Sequence, residues 1–125
     1  MRGTDGTIAP GARNQDCPVR DILDRVGDAW SVLVVLTLER EPTRFNALRR
    51  AIGDISQRML TVTLRQLERD GFVARAVIPS TPPQVSYSLT PLGHSLATQL
   101  GALSAWAETH QPTIRAHRVE FDGAG

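Results

Sequence analysis

Lysine is missing altogether from these 125 residues, and all fourteen basic side chains are arginines. Cysteine is nearly missing too. Cys17 stands alone, which excludes an intramolecular disulfide framework and a cysteine-based metal site. His94, His110 and His117 lie too far from it in sequence to read as a metal or triad motif, so surface histidines and no metal are expected. No apolar run approaches bilayer-spanning length, and the opening MRGTDGTIAPGARNQD has no apolar signal core. The expectation is a soluble, cytoplasmic protein. A carboxylate pair, a phosphate-cradling loop and a nucleophile-base set are equally lacking, which argues against an enzyme and implies no cofactor.

What is present is arginine in a particular place. Between Arg44 and Arg75 lie seven arginines against Asp54, Glu68 and Asp70, a local charge of +4, while the remainder of the chain carries −3. A basic middle inside a near-neutral chain is the electrostatic outline of a polyanion site.

The length suits one domain with a modest core. Residues 1–16 and 118–125 lack periodicity and are expected to be a flexible arm and a flexible tail around a domain over 17–117. Within it, Pro18 opens a helix to about Val26 with Val19, Ile22, Leu23 and Val26 on one face, and Gly27 stops it. The next segment, AWSVLVVLTLER, is apolar almost all round and reads as a central buried helix, with a buried strand as its rival. A third helix follows: Thr43 is its expected N-cap, Phe45, Leu48 and Ile52 recur at helical spacing, and Gly53 is placed to end it.

After a turn of a few residues comes GDISQRMLTVTLRQLERDGFV. Two short helices joined in this way, the second starting at a capping serine, make a helix-turn-helix. Ser56 as N-cap places Ile55 and Leu60 as a hydrophobic staple. At about 100° per residue, Leu60, Leu64 and Leu67 share one core face and leave Arg58, Thr61, Val62, Arg65 and Arg69 outside. A solvated face paired with Glu68 and Asp70 would explain these arginines without DNA. Ser56 and Gln57 at the helix start, with Arg44, Asn46 and Arg49 on the preceding element, favour phosphate and base contacts instead.

FVARAVI and QVSYSL read as two strands around the stiff PSTPP, hence a hairpin. A hairpin directly after a helix-turn-helix is a wing, with Gln84 among its expected DNA contacts. The last helix should start with Thr90 as N-cap and Pro91 at its first position, and run to about His110. Leu92, Leu96, Leu100, Leu103 and Trp106 form one stripe along it, longer than so small a domain can cover. A second copy is the expected cover. Together these readings predict an α+β, mostly helical winged helix-turn-helix with a two-stranded wing and flanking dimerisation helices.

CPVRDILDRVGDAW, RFNALRRAI, ISQRMLTVTLRQLERDGFVAR and PPQVSYSLTPLGHSL, in this order, resemble the HxlR-type winged-helix regulators, relatives of the MarR group. The likeness spans Cys17 to Trp106. It implies a homodimeric bacterial transcription factor that binds operator DNA, with its first and last helices pairing between subunits and the helix from Ser56 in the major groove. Some members sense electrophiles or oxidants through the cysteine that matches Cys17, which stands at a helix start where free amides favour negative charge. Two positions depart from the family pattern. Asp28-Ala29 stands where glycine and lysine are common, and Gln84 where the wing has a basic residue, and both the Ala29 and Gln84 changes remove positive charge. From another class, a winged helix whose arginine face docks an acidic protein stays open as an alternative, and salt-dependent binding to duplex DNA separates the two.

Overall fold

The computed structural model describes residues 17–124; the arm expected over residues 1–16 lies outside them. Cys17 is extended, and Pro18 at the first turn leads into α1 (Pro18–Val26), which ends as the Gly27 amide donates to the Leu23 carbonyl. Asp28 caps α2 (Ala29–Arg40), its carboxylate accepting from the Trp30 amide at 3.1 Å. There follow β1 (Thr43–Arg44), α3 (Phe45–Ile52), α4 (Gln57–Arg69), the hairpin β2 (Val73–Ile78) and β3 (Gln84–Leu89), and α5 (Pro91–Ala124).

The apolar segment after Gly27 is a helix and not the rival strand. α2 packs on all four other helices and on β3. It buries Ser31, Val34, Val35 and Leu38, at helical spacing, among Leu48 of α3, Ile55, the Leu60–Leu64–Leu67 face of α4, Tyr87 and Leu89 of β3, and Ala97 and Leu100 of α5. A helix that fills the centre has little need of a polar face, which is why its sequence has almost none.

Two expectations are corrected. The wing is the expected two-stranded hairpin, but β1 adds a third antiparallel strand in the order β1-β3-β2, because Thr43 and Arg44 pair with Tyr87 and Ser86. Thr43 therefore serves as a strand residue and does not cap α3; its hydroxyl donates to the Glu41 carbonyl, and the N-cap position falls to Arg44, which makes no side-chain cap bond. The last helix runs 34 residues to Ala124, with Pro112 inside it. Residues 118–124, expected as a flexible tail, belong to that helix. Pro112 removes one backbone donor from the middle of this helix, and the helix continues past it.

The start of α5 is pinned to the end of α4. Thr90 donates its hydroxyl to the Gly71 carbonyl and accepts from the Gly93 amide at 3.0 Å, as the expected cap does, while its own amide bonds the Phe72 carbonyl. Gly93 is there because nothing larger fits: a Cβ would stand 2.1 Å from the Phe72 carbonyl oxygen. We expect Gly93→Ala to cost about 1–3 kcal/mol, in the range of overpacking. Urea melts measure this directly, and an unchanged midpoint would mean that α5 can slide away from Phe72 at no cost.

Candidate nucleic-acid interface

The turn between α3 and α4 is built from both sides. Gly53, at φ +102°, reverses the chain in a conformation that side chains rarely adopt. Arg49 Nε donates to the Ile55 carbonyl at 3.1 Å, and Ile55 is buried with Leu60, as the staple requires. Ser56 caps α4 by accepting from the Met59 amide at 3.0 Å. Arg49, expected on the DNA backbone, thus has its Nε engaged in holding the turn.

On α4 the partition read from the sequence holds. Leu60, Thr63, Leu64 and Leu67 are buried, and Gln57, Arg58, Thr61, Val62, Arg65 and Arg69 are exposed. Thr61 donates its hydroxyl to the Gln57 carbonyl at 2.9 Å, so it presents a methyl group and an acceptor outward. The solvated-face explanation required these arginines to be paired with Glu68 and Asp70. Among the described residues Asp70 is paired with Arg25 instead, and no ion pair joins Arg58, Arg65 or Arg69 to any acid. An arginine row without ion-pair partners among the described residues, beside the exposed N-terminal turn of α4, holds a positive potential that suits phosphates.

The wing lies alongside. Arg44, on β1, extends to Gln84 and donates to its side-chain carbonyl, and the two line a cleft with Asn46, Arg50, Pro82 and Pro83. The expected contacts Arg44, Asn46 and Gln84 therefore come together where α3 meets the hairpin tip. A second cleft, between α4 and the sheet, is lined by Thr61, Arg65, Glu68, Arg75 and Tyr87. Arg75 is opposite Tyr87 in the β2–β3 register, which puts both on the sheet face toward α4. Arg50, Met59 and Arg75 were absent from the sequence-derived set. The first two are exposed beside expected contacts, and the third could have been found from strand alternation, since Arg75 and Val73 fall on one face.

The expected dimer residues divide. Leu103 and Trp106 are 61% and 54% exposed, and Ile22 is exposed as well. Leu96 is partly buried against the core. Leu100, at 5% exposure, belongs to the protomer's own core and is withdrawn from the interface set. The stripe meets the protomer core only at Leu96 and Leu100, and leaves Leu92 before them and Leu103 and Trp106 after them exposed. Val19 and Leu23 of α1, and Val119 and Phe121 of α5, add exposed apolar surface. Cys17 is a free, half-buried thiol at the N-cap of α1 and makes no side-chain cap bond. Among the described residues, no group of three or more His, Cys, Asp or Glu is placed to hold a metal, and no helix is long and apolar enough to cross a membrane.

A helix-turn-helix with an uncompensated arginine face on its second helix, flanked by a β-hairpin, defines a winged-helix DNA-binding protein. The chain belongs to the HxlR-like helix-turn-helix family, whose profile matches residues 25–115. It is 42% identical over 106 residues to the HTH-type transcriptional regulator YtfH of Escherichia coli K12, covering 85% of this chain and 84% of that one. Among solved structures it resembles a transcriptional regulator YtfH from Salmonella typhimurium, with 41% identity, a TM-score of 0.75, and coverage of 83% and 93% of the two chains. The redox regulator HypR in its reduced form also superimposes with a TM-score of 0.75, at 37% identity over 79% of this chain and 98% of that one. The protein is accordingly a transcriptional regulator of the HxlR and MarR type, with the winged helix expected from its sequence.

Proposed function

We propose that the protein acts in the cytoplasm as a homodimer on a pseudo-palindromic operator. Each subunit lays α4 in the major groove, and the winged domain over residues 17–117 pairs with its copy through α1 and α5. Gln57, Arg58, Thr61, Val62 and Arg65 face base edges and flanking phosphates. Ser56, Arg44, Asn46 and Gln84 position the backbone, and Arg49 acts chiefly by holding the turn. The observation that carries this reading is the row of arginines on α4 that no acid among the described residues pairs with. Two-fold symmetry of the protein would be mirrored in half-sites about one helical turn apart. The test is selection of bound fragments from the source organism's DNA, followed by footprinting. Symmetric protection supports the reading, whereas fragments without a repeated half-site count against it.

A thiol response at Cys17 is a finer part of the proposal. HypR is described as a redox regulator and has been solved in oxidised and reduced forms, and Cys17 adjoins the helix assigned here to the dimer interface. Cys17 is the sequence's single cysteine, so the available products are an adduct with an electrophile, a mixed disulfide with a small thiol, or a Cys17 pair across the dimer. Titration of operator binding with diamide should release DNA from the wild type and leave Cys17→Ser bound. An equal response of the two proteins, or none from the wild type, rejects the switch.

A further inference from the structure

We propose that Arg25 is a positioning residue for operator binding: it locks α1 to the end of the recognition helix α4 and thereby sets the separation of the two recognition helices in the dimer. This rests on the dimeric reading above. α1 contributes no buried residue to the core, and it meets the body of the protomer mainly through α2. Its residues Val19, Ile22 and Leu23 point outward. Such a helix can shift easily unless something holds it.

Arg25 does so with two bonds. Its Nε pairs with the Asp70 carboxylate, and its Nη1 donates to Gln66 Oε1 at 2.7 Å. Gln66 and Asp70 are one turn apart at the end of α4, and Asp70 is the C-cap residue whose amide bonds back to the Gln66 carbonyl. A planar guanidinium held at two points on one turn fixes an angle as well as a distance, which a single contact cannot. The cation also sits at the negative end of the α4 dipole. Asp21, Ile22, Arg69, Phe72 and Leu92 surround the joint, so movement of α1 is felt there first.

The lever is long enough to matter. α4 has 13 residues, which makes it about 20 Å long. A tilt of about 10° around its C-terminus moves its first turn by about 3 Å, close to the rise of about 3.4 Å per base pair. Loosening the joint should therefore blur the preference for half-site spacing by about one base pair while leaving each reading head intact. The side chains of Arg25 and Asp70 are 22% and 25% exposed, so the pair is part-buried, but neither residue belongs to the apolar core that carries the fold. Variants should stay folded.

The experiment measures affinity of the full-length dimer for duplexes with the selected half-site spacing, for duplexes one base pair shorter and longer, and for a single half-site. The wild type should lose about tenfold per base-pair change. Arg25→Met, and independently Asp70→Asn, should narrow that discrimination to about twofold, with half-site affinity and the sedimentation of a dimer unchanged. If the wild type has a spacing preference and either variant, folded and dimeric, keeps it in full, Arg25 does not position the helices. Equal losses on half-site and full operator would also overturn the proposal, because they indicate a direct contact or a damaged fold. A wild type indifferent to spacing would contradict the dimeric reading itself and withdraw this inference with it.

Discussion

Leu103→Asp is expected to yield folded monomers whose operator affinity is lower by about 10²–10⁴-fold, the gain that linking two half-site contacts normally supplies. Leu103 is 61% exposed in the protomer, and Trp106 and Ile22 are exposed as well. A charge at position 103 therefore meets water when the subunit is alone and meets apolar surface only when a second copy covers it. Burial of an unpaired carboxylate in that interface would cost several kcal/mol per site, of the order found for buried groups without a partner. Leu100→Asp makes the informative contrast. Leu100 lies in the protomer core, so its loss should unfold the chain instead of splitting a dimer. Sedimentation distinguishes the two, and a wild type that is already monomeric at micromolar concentration would contradict the interface.

Arg58→Ala and Arg65→Ala should each weaken specific binding by about 1–3 kcal/mol if the guanidinium makes a bidentate base contact. Both arginines are exposed on α4 without an acidic partner among the described residues, so their removal takes nothing from the protomer. A contact to phosphate instead of base has another signature. Binding then weakens alike on all sequences, and the dependence of affinity on salt becomes shallower by about one unit in the log–log slope. Arg49→Ala should behave differently from either, lowering stability together with affinity, because Arg49 Nε holds the Ile55 carbonyl in the turn. If neither Arg58→Ala nor Arg65→Ala alters affinity while the fold persists, the outward face of α4 is not the reading surface.

Much of this arrangement is legible in the sequence because it is written in short-range signals. Pro18 after Cys17, Ser56 ahead of Leu60, and Thr90 before Pro91 each start a helix by local chemistry, and the three starts fall where the residues indicate. The Leu60, Leu64 and Leu67 face follows from helical period alone. What was not legible depends on distant partners. Two residues, Thr43 and Arg44, carry no strand pattern of their own; they become a strand because β3 passes beside them. Leu100 and Leu103 look equivalent in a stripe, and only the placement of α2 makes one of them core and the other surface. Arg25 and Asp70 are 45 positions apart, and neither has a neighbour in sequence that announces the pair.

The most direct test of the central claim is the salt dependence of binding to a duplex selected from the source organism's DNA, measured by fluorescence anisotropy with the intact dimer. The account predicts tight binding at low salt, a log–log slope steep enough to report several displaced counterions, of the order of −0.9 for each phosphate contacted, and a clear preference for the two-fold symmetric site over scrambled DNA. A folded dimer that ignores duplex DNA at low salt, yet binds an acidic protein through the same arginine face, would contradict it.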